Sequence, residues 1–227
     1  MPKMKVLIRA DTVEIEGYVN AVGRDSRTLT DEYGYPFVEQ IAPGAFAKAL
    51  NEAEKSERAI TMLLDHDEFH VIGSTEDGLE LEEDSIGLHA RAVVSDPETV
   101  KAAREKRLRG WSFGFISLDY SESYAEGVSK RKVTELELVE VSVIDDRMTP
   151  AYAGTSIHAR AEAEEKIYTR AFEADVEYLE EQNPVATSQQ EEACQRGKET
   201  EQTTERAIDN SWSYSYYCNR IELLKLG

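Results

Sequence analysis

The fold class follows from residues 136–144, which are Leu136-Glu137-Leu138-Val139-Glu140-Val141-Ser142-Val143-Ile144. Aliphatic and polar residues alternate here, and a period of two is typical of a β-strand with one buried face. Strict alternation places Leu136, Leu138, Glu140, Ser142 and Ile144 on the same face of the strand. Glu140 is then a carboxylate among aliphatic residues, which is costly unless it has a partner. That partner is a histidine or, at a strand edge, a Lys or Arg.

The same alternation recurs along the first two thirds of the chain. It predicts strands over residues 5–9, 13–19, 60–64, 79–82, 88–94 and 111–120, and it extends the first strand to 133–144. Two helices interrupt this pattern, one beginning at Pro43-Gly44 and one at Pro97, with Asp96 as its N-cap. We therefore predict a mainly β fold with flanking helices, a small antiparallel β-barrel of roughly seven strands.

Composition excludes several classes of protein. The 227 residues include 26 basic and 45 acidic side chains, a net charge of −19, which opposes binding to a phosphate backbone. No apolar run approaches the roughly 18 to 20 residues of a membrane helix, and the apolar stretch after Lys5 is too short for the core of a signal peptide. Both cysteines, Cys194 and Cys218, lie in the C-terminal third, so we expect no disulfide in the main domain and a reducing cytosol.

Charge and composition divide the chain into two parts. Residues 1–150 carry 18 basic and 30 acidic side chains (net −12), and residues 151–227 carry 8 and 15 (net −7) in half the length. Residues 162–209 are rich in Glu, Gln, Thr and Ala, and such a segment buries too little apolar surface to offset its ordering entropy. We predict a folded domain over residues 1–158 and a partly disordered acidic tail over 159–227. In the tail, the spacing of apolar residues predicts a helix over 162–182, ended by Asn183-Pro184. Aromatic and aliphatic residues return over 212–226, which suggests a short docking peptide.

His66 is the first residue with candidate chemistry. It follows the apolar run 60–64 and lies between Asp65 and Asp67, which suits a general base, although a surface histidine at a strand end fits equally well. With His70 it also forms an H-x₃-H spacing that resembles the zinc-protease motif. That motif needs a helix, whereas in a strand the two positions are about 13 Å apart, which is too far for one zinc ion. A metal hydrolase is therefore the weaker alternative.

Ser112 is the second candidate. Residues 110–114, Gly-Trp-Ser-Phe-Gly, match the G-x-S-x-G motif of α/β-hydrolases. In that motif the serine ends a strand and precedes a helix, but here β-type residues continue past it, and only His158 follows. The hydrolase elbow is therefore excluded. Glycines on both sides still leave room for a substrate to approach a nucleophile, or they mark a serine in a bulged strand.

Together these segments resemble the prohead (capsid maturation) proteases of tailed bacteriophages. The resemblance covers about residues 5–158. Its parts, in order, are Glu39-Gln40-Ile41-Ala42-Pro43-Gly44-Ala45-Phe46, His66 after an apolar strand, Asp77-Gly78-Leu79, the glycine-flanked Ser112 and the Leu-x-Glu-Val-Ser stretch around Glu140. The family is similar to herpesvirus maturation proteases in its barrel fold and in its order of histidine before serine.

This resemblance implies a serine endopeptidase. Ser112 would be the nucleophile, His66 the general base, and Glu140 the acid that orients the imidazolium, with Asp65 and Asp67 as alternatives for the acid. Backbone amides at Phe113-Gly114 or in the turn 145–147 would stabilise the oxyanion. No cofactor or metal ion is implied.

The resemblance also implies a biological setting. The enzyme would act inside the procapsid, in the host bacterial cytoplasm, on the major capsid protein and its scaffold segment, without a nucleic-acid or membrane partner. Self-association into a homo-oligomer is left open. The tail would direct the enzyme into the assembling shell or be removed by self-cleavage. The non-enzymatic alternative is a capsid assembly scaffold or chaperone of the same fold that has lost turnover.

Overall fold

A computed structural model gives the fold of the chain. It describes residues 3–31, 33–125, 127–147, 157–159 and 166–181, and for 157–159 only the backbone. The described residues fall in one compact unit, Met1–Glu181. The predicted linker and docking peptide beyond residue 181 lie outside the described residues.

The described residues form thirteen strands and two helices. The strands are β1 (Lys3–Ile8), β2 (Val13–Ala21), β3 (Leu29–Thr30), β4 (Pro36–Ile41), β5 (Thr61–Leu64), β6 (Val71–Ser74), β7 (Glu80–Glu83), β8 (Gly87–Val94), β9 (Gly110–Ala125), β10 (Val128–Ile144), β11 (Ile157–Ala159), β12 (Lys166–Glu173) and β13 (Asp175–Glu180). The helices are α1 (Ala45–Lys55) and α2 (Pro97–Arg104). Asp96 caps α2 as predicted, because its Oδ2 accepts a 2.7 Å hydrogen bond from the Thr99 amide.

The strands pair into two sheets. One has five strands in the order β13-β1-β2-β8-β7, and the other has eight, with β11-β12-β9-β10-β4-β3 as its main path and β5 and β6 attached beside β10. The sheets pack against each other where Gly17 of β2 leaves space for Trp111 of β9. A Cβ atom on Gly17 would lie 2.9 Å from the Trp111 indole nitrogen. The core therefore contains the inner faces of both sheets.

The long strand β10 organises the second sheet. Along one edge it pairs antiparallel with β9. Along the other edge its first half pairs with β4 and its second half with β5, both in parallel. β4 and β5 follow one another along this edge, since β4 ends opposite Val133 and β5 begins opposite Glu140. The connection between them contains α1, which packs Ala45, Phe46, Ala49 and Ala53 into the core. This connection brings β5 alongside the C-terminal half of β10.

The mainly β fold with two helices agrees with the sequence prediction, but the closed antiparallel barrel does not. The described strands form two open sheets, and β4, β5 and β13 each pair in parallel with a neighbour. Alternation along a strand reports which of its faces is buried, but it contains no information on the neighbouring strand or its direction. The described residues also contain no helix long and apolar enough to cross a membrane.

The helix predicted over residues 162–182 is wrong, because this region contains β12 and β13. Every second residue of β12 faces the aromatic core. Tyr168 packs on Phe115 with ring centroids 5.7 Å apart, and Phe172 stacks on Phe113 at 6.3 Å. Since β12 pairs with β9, and β13 with β1, the folded unit continues past the boundary predicted at residue 158.

Candidate active site

Three adjacent strands, β5, β10 and β9, position the candidate residues. Ser142 in β10 pairs with Ser112 in β9 on one side and with Leu63 in β5 on the other. Directly paired residues project to the same face of a sheet, so Ser112 and Ser142 share a face. His66 follows the end of β5, two residues after Leu64. The pairing of β5 with β10 thus brings the histidine next to the serine from a segment 46 residues earlier in the chain.

A tight turn after β5 aims His66 at this face. Asp65 and His66 both have left-handed backbone conformations, with φ of 55° and 61°. Non-glycine residues rarely adopt such values, and strained positions of this kind cluster at functional sites. The Asp65 amide donates to the Val143 carbonyl at 2.9 Å, and the Asp65 side chain accepts from the Asp145 amide at 2.8 Å. These bonds tie the turn to the end of β10.

The imidazole of His66 bridges a hydroxyl and a carboxylate. Its Nε2 lies 2.6 Å from Ser112 Oγ, and its Nδ1 lies 2.9 Å from Glu140 Oε1. Ser112 is fully buried, and the side chains of His66 and Glu140 are 13% and 9% exposed. The structure therefore brings together all three candidate residues. Hydrogen-bonded in this order, they form the arrangement that activates a serine hydroxyl in nucleophilic catalysis.

Ser142 is a fourth polar residue in this cluster. Its hydroxyl donates a 2.6 Å hydrogen bond to Glu140 Oε2 and lies 3.3 Å from His66 Nδ1. The residue is fully buried. The alternation in the sequence predicts that Ser142 shares a face with Glu140, but no motif in the sequence indicates a role for Ser142.

A β-bulge at Val139 corrects the face assignment made from strict alternation. Leu138 pairs with Phe115, whereas Glu140 pairs with Gly114, so Val139 is an extra residue in β10. Phe115 and Gly114 are consecutive and point to opposite faces of β9. Leu138 therefore faces the core with Phe115, and Glu140 faces His66. The expectation that Leu136 and Leu138 share a face with Glu140 is wrong for this reason.

The alternative acids have other partners. Asp65 contacts the Asp145 amide and Arg147 Nη2, the latter at 3.2 Å, and Asp67 accepts from the Phe69 amide at 3.0 Å. Burial raises the pKa of Asp65 to about 6, against the opposing effects of the Asp145 amide and the Arg147 charge. Among the three acids considered, Glu140 is the one that contacts the histidine.

Asp145 lies at the centre of an ion cluster behind the His66 turn. It is fully buried, and its carboxylate contacts Arg107 and Arg147, each at 2.8 Å. Burial alone would raise its pKa, but the Arg147 amide, the shared contact with Asp65 and the two guanidinium groups hold that pKa below its usual value. Arg147 also pairs with Glu98 of α2. The cluster connects α2, the His66 turn and the end of β10.

His66 and His70 do not converge on a common point. His70 Nε2 lies 3.0 Å from Asp96 Oδ1, and its Nδ1 lies 3.6 Å from Glu98, whereas both nitrogens of His66 face Ser112 and Glu140. Within the described parts of the chain, no group of three or more His, Cys, Asp or Glu side chains is arranged to hold a metal ion. The donor geometry thus disfavours the H-x₃-H interpretation.

The sequence predicts two sources of oxyanion donors, Phe113-Gly114 and the turn 145–147. Over residues 110–116, β9 pairs with β10 on one side and with β12 on the other, so Phe113 and Gly114 have a neighbouring strand on both sides. In the turn 145–147, the Asp145 and Arg147 amides donate to Asp65 and Asp145. The Asp146 amide has no acceptor among the described residues. The turn is therefore the better source of a free donor.

Comparison with known proteins adds one finding. The sequence model of a family described as caudovirus prohead serine protease matches residues 3–170, well over half of the chain. The matched region includes His66, Ser112, Glu140 and Ser142. No curated protein and no solved structure matches the chain.

Proposed function

The chain belongs to the family of caudovirus prohead serine proteases, and on this premise we propose that it is a serine endopeptidase of procapsid maturation. The observation that carries the proposal is the position of one imidazole between the Ser112 hydroxyl and the Glu140 carboxylate. A histidine so placed can remove the hydroxyl proton through one nitrogen while the other nitrogen remains bonded to the acid.

In the first half of the reaction, Ser112 Oγ attacks the carbonyl carbon of the scissile peptide bond. His66 Nε2 accepts the hydroxyl proton, and the Nδ1–H group donates to Glu140 Oε1 and remains protonated. The carboxylate stabilises the positive charge on the imidazolium. The C–N bond then breaks, and the amine leaves with the proton from Nε2, which produces an acyl-enzyme on Ser112.

The second half repeats these steps with water as the nucleophile. His66 Nε2 accepts a proton from water as the oxygen attacks the acyl carbon. The Ser112–acyl bond then breaks, and Ser112 Oγ regains the proton from His66. In both halves a negative oxygen develops on the acyl carbon. The Asp146 amide, which donates to no acceptor within the described part of the chain, supports a donor in the turn 145–147.

The substrates under this proposal are the major capsid protein and its scaffold segment. The description of the matched family supports this class of substrate. The site of action would be the interior of the procapsid, within the bacterial host. The alternative, an inactive assembly scaffold of the same fold, is less favoured because one histidine contacts both a serine and an acid.

Self-cleavage is a further part of the proposal. The sequence beyond residue 181 is rich in Glu, Gln and Thr, and polar sequences of this kind are preferred sites of proteolytic cleavage. Purified wild-type protein should lose mass on incubation, whereas Ser112→Ala should keep its full mass. A wild-type protein that cuts capsid protein but keeps its own full mass would contradict self-cleavage and leave the proposed peptidase activity standing.

Digestion of purified capsid protein tests the main proposal. Wild-type enzyme should produce defined fragments by mass spectrometry, with or without a chelator such as EDTA, and Ser112→Ala should produce none. Complete loss of cleavage with EDTA would instead support the metal hydrolase. If neither wild type nor variant cleaves, the assembly scaffold becomes the better account.

A further inference from the structure

We propose that Ser142 is a positioning residue that fixes the Glu140 carboxylate in contact with His66. This inference rests on the proposed function, because it assigns Ser142 a role in the same reaction. Ser142 has no part in the mechanism described above and acts through Glu140 alone.

The two carboxylate oxygens of Glu140 have different hydrogen-bond partners. Oε1 lies 2.9 Å from His66 Nδ1, and Oε2 accepts the 2.6 Å hydrogen bond from the Ser142 hydroxyl. An ionised carboxylate only accepts hydrogen bonds, so each oxygen needs its own donor once it leaves water. Ser142 supplies the second donor, which leaves Oε1 available to the imidazole.

The rigidity of β10 explains why this hydroxyl can hold the acid in place. A glutamate side chain has three rotatable torsions, and its terminal torsion is broad. Ser142 lies two residues further along the same strand, after the Val139 bulge, and is fully buried between its partners in β5 and β9. The hydrogen bond therefore connects the mobile end of a long side chain to a fixed point of the central strand.

The distances also distinguish Ser142 from a second nucleophile. Its Oγ is 3.3 Å from His66 Nδ1, and that nitrogen already has a closer contact with Glu140 Oε1 at 2.9 Å. The other nitrogen, Nε2, faces Ser112 at 2.6 Å. The Ser142 hydroxyl therefore donates its hydrogen bond to the Glu140 carboxylate, and the imidazole nitrogen Nε2 faces Ser112.

The test compares three variants of the full chain in steady-state cleavage of a fluorogenic peptide taken from the capsid cleavage site. Ser142→Ala removes the donor, and Ser142→Thr retains a hydroxyl. Ser117→Ala is the matched control, because the Ser117 hydroxyl in β9 is buried and has no hydrogen-bond partner among the described residues. Thermal unfolding of each variant reports on the fold, and proton NMR reports on the His66 Nδ1–H signal.

We expect Ser142→Ala to lower kcat by roughly 10-fold to 100-fold, as expected for a lost hydrogen bond to a charged group, with KM near the wild-type value and a small decrease in Tm, because Glu140 Oε2 loses its donor. The downfield Nδ1–H signal should shift or broaden, because the bond from Nδ1 to Oε1 is no longer held in one geometry. Ser142→Thr should recover most of kcat, and Ser117→Ala should match wild type in all readouts.

A wild-type kcat and an unchanged Nδ1–H signal in Ser142→Ala would overturn the inference while the proposed function stands. A parallel loss of kcat and Tm, with no recovery in Ser142→Thr, would also overturn it, since it would show a role in folding only. A wild-type protein that hydrolyses no peptide would instead overturn the proposed function, and this inference with it.

Discussion

Gly114 lies directly opposite Glu140 across the β9–β10 ladder, and its missing side chain provides the space that the carboxylate occupies. A Cβ atom on Gly114 would stand 2.6 Å from Glu140 Oε1 and 3.2 Å from its Cγ. The second glycine of the G-x-S-x-G stretch therefore accommodates the acid, which explains the motif without a hydrolase elbow.

Gly114→Ala should lower kcat by about 100-fold, because the new methyl group displaces Oε1 from His66, and misplacement by about 1 Å has effects of this size. Peptide cleavage kinetics measure the change. Gly73→Ala in β6 is the matched control, since its Cβ would come no closer than 3.8 Å to the nearest neighbouring atom. A Gly114→Ala enzyme as active as Gly73→Ala would show that the site tolerates a displaced Glu140.

The contribution of Asp65 to the free energy of unfolding should decrease as pH rises. Its pKa is raised from the ordinary 3.8 to about 6 in the folded chain, so the folded state holds the proton more tightly than the unfolded state does. The resulting stabilisation is fully present below pH 3.8 and is lost as pH rises through 6. The stability of wild type relative to Asp65→Asn should therefore fall by roughly 1 to 2 kcal/mol between pH 4 and pH 7.

Urea unfolding of both proteins at several pH values measures this difference. Asparagine is a suitable replacement because it tolerates the left-handed conformation of residue 65, where φ is 55°. A stability difference that stays constant, or that grows with pH, would contradict the raised pKa.

Arg170 should be essential for folding, although it lies in the region predicted to be tail. Its guanidinium forms two hydrogen bonds with the Glu39 carboxylate, at 2.7 and 3.0 Å, and both side chains are almost completely buried. Arg170→Ala leaves an unpaired buried charge on Glu39 and should reduce the free energy of unfolding by about 3 to 5 kcal/mol.

The control for Arg170 is Lys48→Ala, which breaks an exposed ion pair with Glu135 and should cost at most about 1 kcal/mol. Denaturant unfolding compares the two variants. Equal losses in both would mean that β12 contributes little to the folded unit.

The sequence predicted the residues of the candidate site because each has a local signal. An apolar run before His66, glycines around Ser112 and a carboxylate within an aliphatic strand are visible without coordinates. The order of these segments supplied the family resemblance, and the matched family agrees with it. The contacts themselves depend on the pairing of β5 with the C-terminal half of β10, which alternation does not encode.

Two features of the fold, the Val139 bulge and the strand β12, have no local signal in the sequence. The Val139 bulge reverses the face of Glu140 relative to Leu138, and nothing in an unbroken Leu-Val-Glu-Val run indicates where an extra residue sits. A helix is predicted in place of β12 because Ile167, Phe172, Val176 and Leu179 recur at roughly helical intervals. Its strand identity comes from long-range partners, since Tyr168 and Phe172 pack on aromatic residues of β9.

The central claim is that His66 activates Ser112 with the help of Glu140, and the position of a covalent adduct tests it most directly. Full-length protein is treated with a fluorophosphonate, digested, and examined by tandem mass spectrometry. We expect one adduct, on Ser112, which forms at least about 100-fold more slowly in His66→Ala. An adduct on Ser142, or a rate on Ser112 that does not change in His66→Ala, would contradict the account.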